Sequence, residues 1–281
     1  MNKRTVNKRN YRKKKTLKKL SFILALLLIA ALVYFSNALL GNPYSKNKAN
    51  KSAKNYLETK YPNTDLYIED LRYIFKFGEY YAYIESPSSI DSEFTITIDK
   101  NGNIKGDDYE SRVIEKENTS RRLDDEYRQI VDKALDSSDC PYQINIGFGG
   151  LEIYPRKIMN NANISSYAVA QEDLELDKQY DISELGANIG KIVVYIENET
   201  VNIETVSKMI LDLKNYLDKC GVTFYSIDFE LKYPKNDKGT QSKEYIGVKK
   251  FLYKDIYEDG MQQRVEKSYK ELKDYYNNLD K

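Results

Sequence analysis

Hydrophobic and polar positions divide this chain into three stretches of different period. The first has no period. "LSFILALLLIAALVYFSNALLG" begins at Leu20, and no charged residue lies between Lys19 and Lys46. About 20 apolar residues make a helix of about 30 Å, the thickness of a bilayer's hydrocarbon core. The second stretch alternates. "FKFGEYYAYIESPSSIDSEFTITIDKNGN" places Phe94, Ile96 and Ile98 on one side of a strand and Thr95 and Thr97 on the other. Leu71, Tyr73, Phe75 and Phe77 alternate in the same way just before it. The third stretch mixes both periods and contains a strand–helix–strand signal.

Ahead of the alternating region, Asn42 is placed to cap a helix and Pro43 to occupy its first position. Ala49, Ala53, Tyr56, Leu57 and Tyr61 fall on one face of that helix, and Pro62 stops it. Gly78-Glu79 reads as a tight turn, "SPSSIDS" as a loop, and "DKNGN" as a hairpin turn with glycine in the left-handed conformation. Residues 43–110 therefore predict one helix packed on an antiparallel meander of three or four strands. "NTSRRLDDEYRQIVDKALDSSD" is a further amphipathic helix, with Leu123, Tyr127, Ile130, Val131, Ala134 and Leu135 as its stripe. Ser137, Ser138, Asp139 and Pro141 mark a boundary after it.

Beyond that boundary "YQINIGFGGLEIYP" opens a second unit, and residues 156–188 are polar and irregular. "KIVVYIE" is a buried strand. Ile203, Val206, Ile210, Leu213 and Leu217 follow at helical spacing up to Gly221, and "VTFYSIDFELKY" is a strand again. This order implies two parallel strands joined by a crossover helix. "EYIGVKKF" adds a strand after the "PKNDKG" turn. A closing helix over 252–278 uses Leu252, Ile256, Val265, Tyr269, Leu272 and Tyr276. The expected fold class is α+β: one N-terminal transmembrane helix, a helix-plus-meander unit, and a βαβ-containing unit of ferredoxin-like kind. The expected divisions are 1–19, a basic cytoplasmic tip; 20–40, the span; 42–137, the first extracytoplasmic domain; and 138–281, the second.

Charge fixes the orientation. Residues 1–20 hold ten Lys or Arg and no acid, so the remainder carries 34 basic against 43 acidic residues, a net charge of about −9. A basic flank stays cytoplasmic, which puts the C-terminal bulk outside, and it can bind anionic lipid. Ser36-Asn37-Ala38 offers a small-residue cleavage site, but the apolar stretch exceeds a signal-peptide core of 7–15 residues, which favours a retained anchor. An acidic body argues against nucleic acid as a partner.

Composition removes several chemistries. The chain has no histidine, so Ser-His and Cys-His pairs are excluded, and only two cysteines remain for a zinc site. Tyrosine occurs 26 times and tryptophan not at all. Tyrosine suits half-buried strands, and it also suits aromatic binding surfaces.

The stretches "GNPYSK" after the span, "FKFGEYYAYIESPSSIDSEFTITID", "DDYESRV" and "NTSRRLDDEYR" together resemble the YfjL-like membrane-anchored proteins of low-GC Gram-positive bacteria, over residues 40–135. The helix-then-meander order is similar to PepSY-like extracytoplasmic modules, in architecture alone. Neither resemblance brings catalytic residues with it, and architecture does not establish function.

Several local patterns carry candidate chemistry, each with a structural reading beside it. Ser45-Lys46-Asn47-Lys48 fits S-x-x-K, a serine-acylation pattern, without its partner motifs. Asp99, Asn101 and Asn103 alternate as in a calcium loop, but Gly102 stands at the wrong position, and a hairpin accounts for them. Gly147–Gly150 lacks the spacing of a phosphate loop and reads as a bulge or turn. Among the carboxylates, Asp124 and Asp125 are neighbours, and Asp228 and Glu230 share one strand face, as a glycosidase pair would. Cys140 and Cys220 form a candidate disulfide in an oxidising compartment, with two thiols as the alternative. No cofactor or metal is expected. The expected function is a membrane-anchored extracytoplasmic binding or regulatory module that meets an envelope protein or peptide. A carboxylate-dependent glycan hydrolase and a structural spacer are the alternatives.

Overall fold

The computed structural model describes residues 3–161, 163–235, 239, 242 and 244–279, with side chains given from residue 18 to 278. Most of the basic tip's side chains and residues 236–238 of the "PKNDKG" turn therefore lie outside the described residues. The chain forms two compact units, residues 1–110 and 111–281. The mixed α+β class agrees with the sequence pattern.

The first unit starts with α1, Lys3–Leu40. Its apolar residues 20–40 are exposed along their whole length, with mean hydropathy 2.5 over an 18-residue window. Among the described residues this is the helix long and apolar enough to cross a membrane. Gly41 breaks it in the left-handed conformation (φ 70°). Helix α2, Pro43–Lys60, restarts at once because Asn42 accepts the Ser45 amide at 2.8 Å. Ala49, Ala53 and Leu57 bury its apolar face.

Four antiparallel strands follow in meander order: β1 Tyr67–Ile74, β2 Glu79–Ser86, β3 Ser89–Asp99 and β4 Ile104–Asp107. Tyr80, Ala82, Ile84, Phe94, Ile96 and Ile98 face α2 and are almost fully buried. Two expectations change here. Phe75 and Phe77 do not extend the first strand, because the turn closes at Ile74, whose carbonyl accepts the Phe77 and Gly78 amides at 3.0 and 2.9 Å. Most of "SPSSIDS" is strand rather than loop, since β3 begins at Ser89. Asp107 closes the far end of this unit. It accepts Tyr56 Oη at 2.5 Å, Lys60 Nζ at 2.7 Å and Tyr61 Oη at 3.1 Å. Burial pushes its carboxyl up, but the Lys60 and Tyr56 bonds outweigh this and hold it below the ordinary carboxylate range.

The second unit corrects the expected boundary. Helix α3, Glu117–Leu135, falls in the first domain by sequence pattern, but Leu123, Tyr127, Val131 and Leu135 belong to the second unit's core. Its partner is β5, Ile146–Leu151, the strand that carries "GFGG". Glycine is needed there for proximity. A Cβ on Gly149 would lie 2.5 Å from Val131 Cγ2, and one on Gly147 would lie 2.9 Å from Leu135 Cδ1. The glycines form neither a bulge nor a phosphate loop; they form the groove into which α3 settles. Ile130, expected in the stripe, is exposed.

Short strands β6, Ile153–Tyr154, and β7, Val169–Ala170, pair in parallel. Helix α4, Ile182–Ile189, lies in the stretch expected to be irregular, capped by Asp181. Strand β8, Gly190–Glu197, helix α5, Ile203–Lys219, and β9, Ser226–Lys232, make the expected βαβ unit with β8 and β9 parallel. The sheet order is β10-β9-β8-β5, with β10 at Tyr245–Leu252. The parallel strands are direct neighbours, so the unit is not the split βαβ of a ferredoxin-like arrangement. The closing helix α6, Met261–Leu279, starts later than expected, because Leu252 ends β10 and Gly260 (φ 66°) stands just before the helix.

Two predictions follow from this packing. Gly149→Ala should destabilise the protein by about 1–3 kcal/mol through overpacking, whereas Gly150→Ala, on the other side of the strand, should cost much less; urea unfolding compares them. Asp107→Asn should cost about 1–3 kcal/mol at neutral pH. A lowered folded pKa contributes stability above the unfolded carboxyl's range and loses it as pH falls through the folded value, so the difference from wild type should shrink on acidification.

Candidate functional site

The second unit's sheet has two unlike faces. Ile192, Val194 and Ile196 of β8 stand beside Ile227, Phe229 and Leu231 of β9, and this face is buried in the core with α3 and α5. The opposite face alternates with it and carries Lys191, Val193 and Tyr195 beside Ser226, Asp228 and Glu230. The pair singled out from sequence is thus on one face, and that face is polar.

Each charge there has a partner. Glu152, almost fully buried, pairs with Lys191. Burial pushes the Lys191 ammonium down, but Glu152 outweighs this and raises it. Asp228 Oδ1 accepts the Lys250 amide at 2.6 Å. That amide lies in an irregularity of β10 between Val248 and Phe251, where Lys250 takes φ 51°. The carboxylate therefore caps a bulge. Burial raises the Asp228 pKa above its ordinary value, against the pull of the Lys250 amide and of Lys191 and Lys249. Glu230 lies 3.7 Å from Lys232. Tyr167 and Ser226 share a hydroxyl bond at 2.6 Å, and the Tyr167 and Tyr225 rings stack with centroids 4.2 Å apart.

Toward β10 this face opens into a cleft of about 530 Å³. Tyr233, Tyr245, Tyr269 and Tyr276 line it, with Glu244, Lys273 and Asn277 among them and Val201 and Ile246 completing the wall. The α6 side has a simple origin. Met261 and Val265 are buried in the core, and the same helical stripe continues through Tyr269 and Tyr276 into the cleft. Lys249 Nζ bonds the Tyr276 hydroxyl, which raises the lysine's pKa. Burial raises the Tyr245 phenol, and Tyr276 and Glu230 add to this. The cleft thus offers phenol rings with polar rims and a mixed set of charges. A smaller hollow of about 270 Å³ lies around Phe224, Tyr225 and Leu252. Its one carboxylate, Asp218, is held by Lys214 at 2.8 Å and Tyr253 at 3.0 Å.

The other sequence candidates take structural places. Ser45 is buried between the Asn42 carbonyl, 3.1 Å away, and the Tyr80 hydroxyl, 2.6 Å away. Lys48 lies against Gly102. Asp99 accepts the Asn101 and Asn103 amides at 2.7 and 2.8 Å and Asn103 Nδ2 at 2.8 Å, which makes it the hub of the β3–β4 turn. Asp124 accepts the Leu151 amide at 2.7 Å, while neighbouring Asp125 is exposed. Among the described residues no group of three or more His, Cys, Asp or Glu is arranged to hold a metal. Cys140 and Cys220 are free thiols, one half-buried and one exposed. Burial raises the Cys140 pKa, and the nearby Cys220 adds to it. Sequence reasoning missed the cleft because its tyrosines come from three separate stretches. The signal available was the stripe on the closing helix, which runs on from Val265 through Tyr269 and Tyr276.

Two family models match the chain: the YfjL-like N-terminal domain over residues 16–108 and the YfjL-like C-terminal domain over residues 126–266. The chain belongs to the YfjL-like family. The two matched segments fall in the two structural units, and α3 straddles the start of the second match. No curated protein matches the chain. A crystal structure of a DUF5037 family protein from Ruminococcus gnavus is similar at 14% identity, covering 79% of this chain and 98% of that one, with a TM-score of 0.22. A score that low carries no argument about this YfjL-like protein.

The geometry at Asp228 generates a test. A carboxyl whose folded pKa is raised contributes stability below its unfolded pKa and loses it as pH rises through the folded value. Asp228→Asn keeps an acceptor for the Lys250 amide and removes the buried charge. It should match or exceed wild type in stability at neutral pH, with the gap closing as pH falls through the carboxylate range. Asp228→Leu strands the amide and should cost about 1–3 kcal/mol. Thermal unfolding across pH separates the two.

Proposed function

We propose that this YfjL-like protein is a non-enzymatic binding module, held in the membrane by α1 with its N-terminus in the cytoplasm and both folded units outside. Its second unit receives an extended segment of an envelope protein or peptide in the tyrosine-lined cleft. The observation that carries this reading is the grouping of Tyr233, Tyr245, Tyr269 and Tyr276 around one cleft. Flat apolar rings with polar edges are the surface on which extended, polyproline-like chains dock. Tyr269 and Tyr276 are two helical turns apart, about 10.5 Å along α6. One turn of a polyproline II chain rises about 9.3 Å. The two rings therefore suit successive turns of such a segment.

Carboxylate catalysis has less support. Asp228 is committed to the β10 bulge and Glu152 to Lys191. The hydrolase reading requires Asp228 and Glu230 to act on a bond, and the spacer reading requires the cleft to be empty of consequence.

Crosslinking on intact cells followed by a mild pull-down tests all three. Tyr245→Ala and Tyr269→Ala should each lose the captured partner while leaving the protein's membrane level unchanged. Capture that both substitutions leave intact moves the ligand elsewhere. Turnover of cell-wall polymer by the purified protein, abolished by Glu230→Gln, would replace the binding reading with the enzymatic one.

A further inference from the structure

We propose that the β1–β2 hairpin tip, Phe75-Lys76-Phe77, enters the membrane–water interface beside the end of α1 and seats the first unit on an anionic lipid surface. This rests on reading α1 as a membrane span.

The tip's place in the fold carries the proposal. The chain leaves α1 at Gly41, where a Cβ would stand 2.4 Å from the Tyr80 hydroxyl and 3.0 Å from Tyr73 Cγ. Tyr73 and Tyr80 are paired across β1 and β2, and Ile74 pairs with Glu79 one step further on. The turn begins directly after that, so the tip lies within a few residues of the last turn of α1, which touches β1. The turn itself is firmly made: two amides converge on the Ile74 carbonyl, and Gly78 takes φ 67°. It holds both phenylalanines outward, Phe75 at 64% and Phe77 at 58% exposure. Polar residues are the usual occupants of such a turn, and two aromatic rings there need a reason. The Lys76 ammonium lies 5.5 Å from the Phe77 ring centroid, which leaves an apolar body with a cationic rim.

Charge at this end of the unit completes the argument. Glu79 also pairs with Asp99 across β2 and β3, so the β3–β4 turn with exposed Lys100 lies at the same end. Exposed Lys46 and Lys48 open α2 there. The carboxylates at this end are engaged: Asp99 by the amides of its own turn and Glu79 by Lys105 at 2.5 Å. The result is a basic, aromatic rim on a body that is acidic as a whole. Aromatic rings at the headgroup level and lysines toward anionic lipid are the two contacts an interfacial anchor makes.

The chain lacks tryptophan, so a single introduced one reports cleanly. Full-length protein carrying Phe77→Trp, Tyr34→Trp or Ile90→Trp is reconstituted into phosphatidylglycerol–phosphatidylcholine vesicles, with and without brominated acyl chains. Ile90 is exposed next to the β2–β3 turn, at the opposite end of the strands. Phe77→Trp should emit at short wavelength and lose most of its emission to brominated lipid, Tyr34→Trp should do the same, and Ile90→Trp should behave as in water. Adding Lys76→Glu and Lys100→Glu to Phe77→Trp should weaken its quenching. Quenched Tyr34→Trp with unquenched, water-like Phe77→Trp overturns the hairpin proposal and leaves the span. Unquenched Tyr34→Trp overturns the span, and the hairpin proposal with it. Equal quenching of Phe77→Trp and Ile90→Trp overturns the specific seating of this end.

Discussion

The parallel pairing of β8 with β9 is the constraint on which the second unit depends. A parallel pair cannot be joined by a tight turn, so α5 must cross over one face, and the apolar residues of both strands turn toward it. One helix does not cover a four-stranded sheet. The rest of that face is closed by α3, which reaches it only because β5 offers Gly147 and Gly149 where side chains would otherwise stand. The sequence "GFGG" and the apolar stripe of α3 are thus two halves of one packing decision.

That decision leaves the other face of the sheet to polar residues. Burial there is bearable because each charge has a nearby partner: Lys191 for Glu152, and a bulged backbone amide for Asp228. The bulge has a further effect. It interrupts the ladder of β10 between Val248 and Phe251, and the Lys249 side chain there meets Tyr276 from the far end of α6. The cleft forms between α6 and β10, and its α6 side is aromatic by continuation of the core stripe from Met261 and Val265 to Tyr269 and Tyr276.

Much of the fold was legible in the residues. Asn42, Pro43 and the Ala49–Ala53–Leu57 spacing specify α2, and Phe94, Ile96 and Ile98 specify β3, because each rests on local geometry and period. The βαβ order was legible for the same reason. What was not legible is long-range. An amphipathic stripe states that α3 packs on something, but not on which sheet, so the helix was assigned to the domain preceding it. Helix α4 escaped because eight residues show little periodicity, although Asp181 followed by Glu184 was a capping signal. The cleft escaped because Tyr233, Tyr245, Tyr269 and Tyr276 have no common pattern until the strands and α6 are in place.

The same distinction explains Phe75 and Phe77. By period they continue β1, and alternation alone puts them in a core with Leu71 and Tyr73. A strand, however, ends where its partner ends. Ile74 pairs with Glu79, and the four residues between must turn. Gly78 supplies the left-handed step that the turn requires, which fixes the strand's end four residues before the glycine. The alternating aromatics then fall on the turn and face outward. Apolar alternation running past a strand's geometric limit leaves its residues on a surface other than the core. In this chain that surface lies beside the only long apolar helix among the described residues. On the proposal that α1 spans a membrane, the first unit is tethered at this end, and an apolar phase would lie within reach of both phenylalanines.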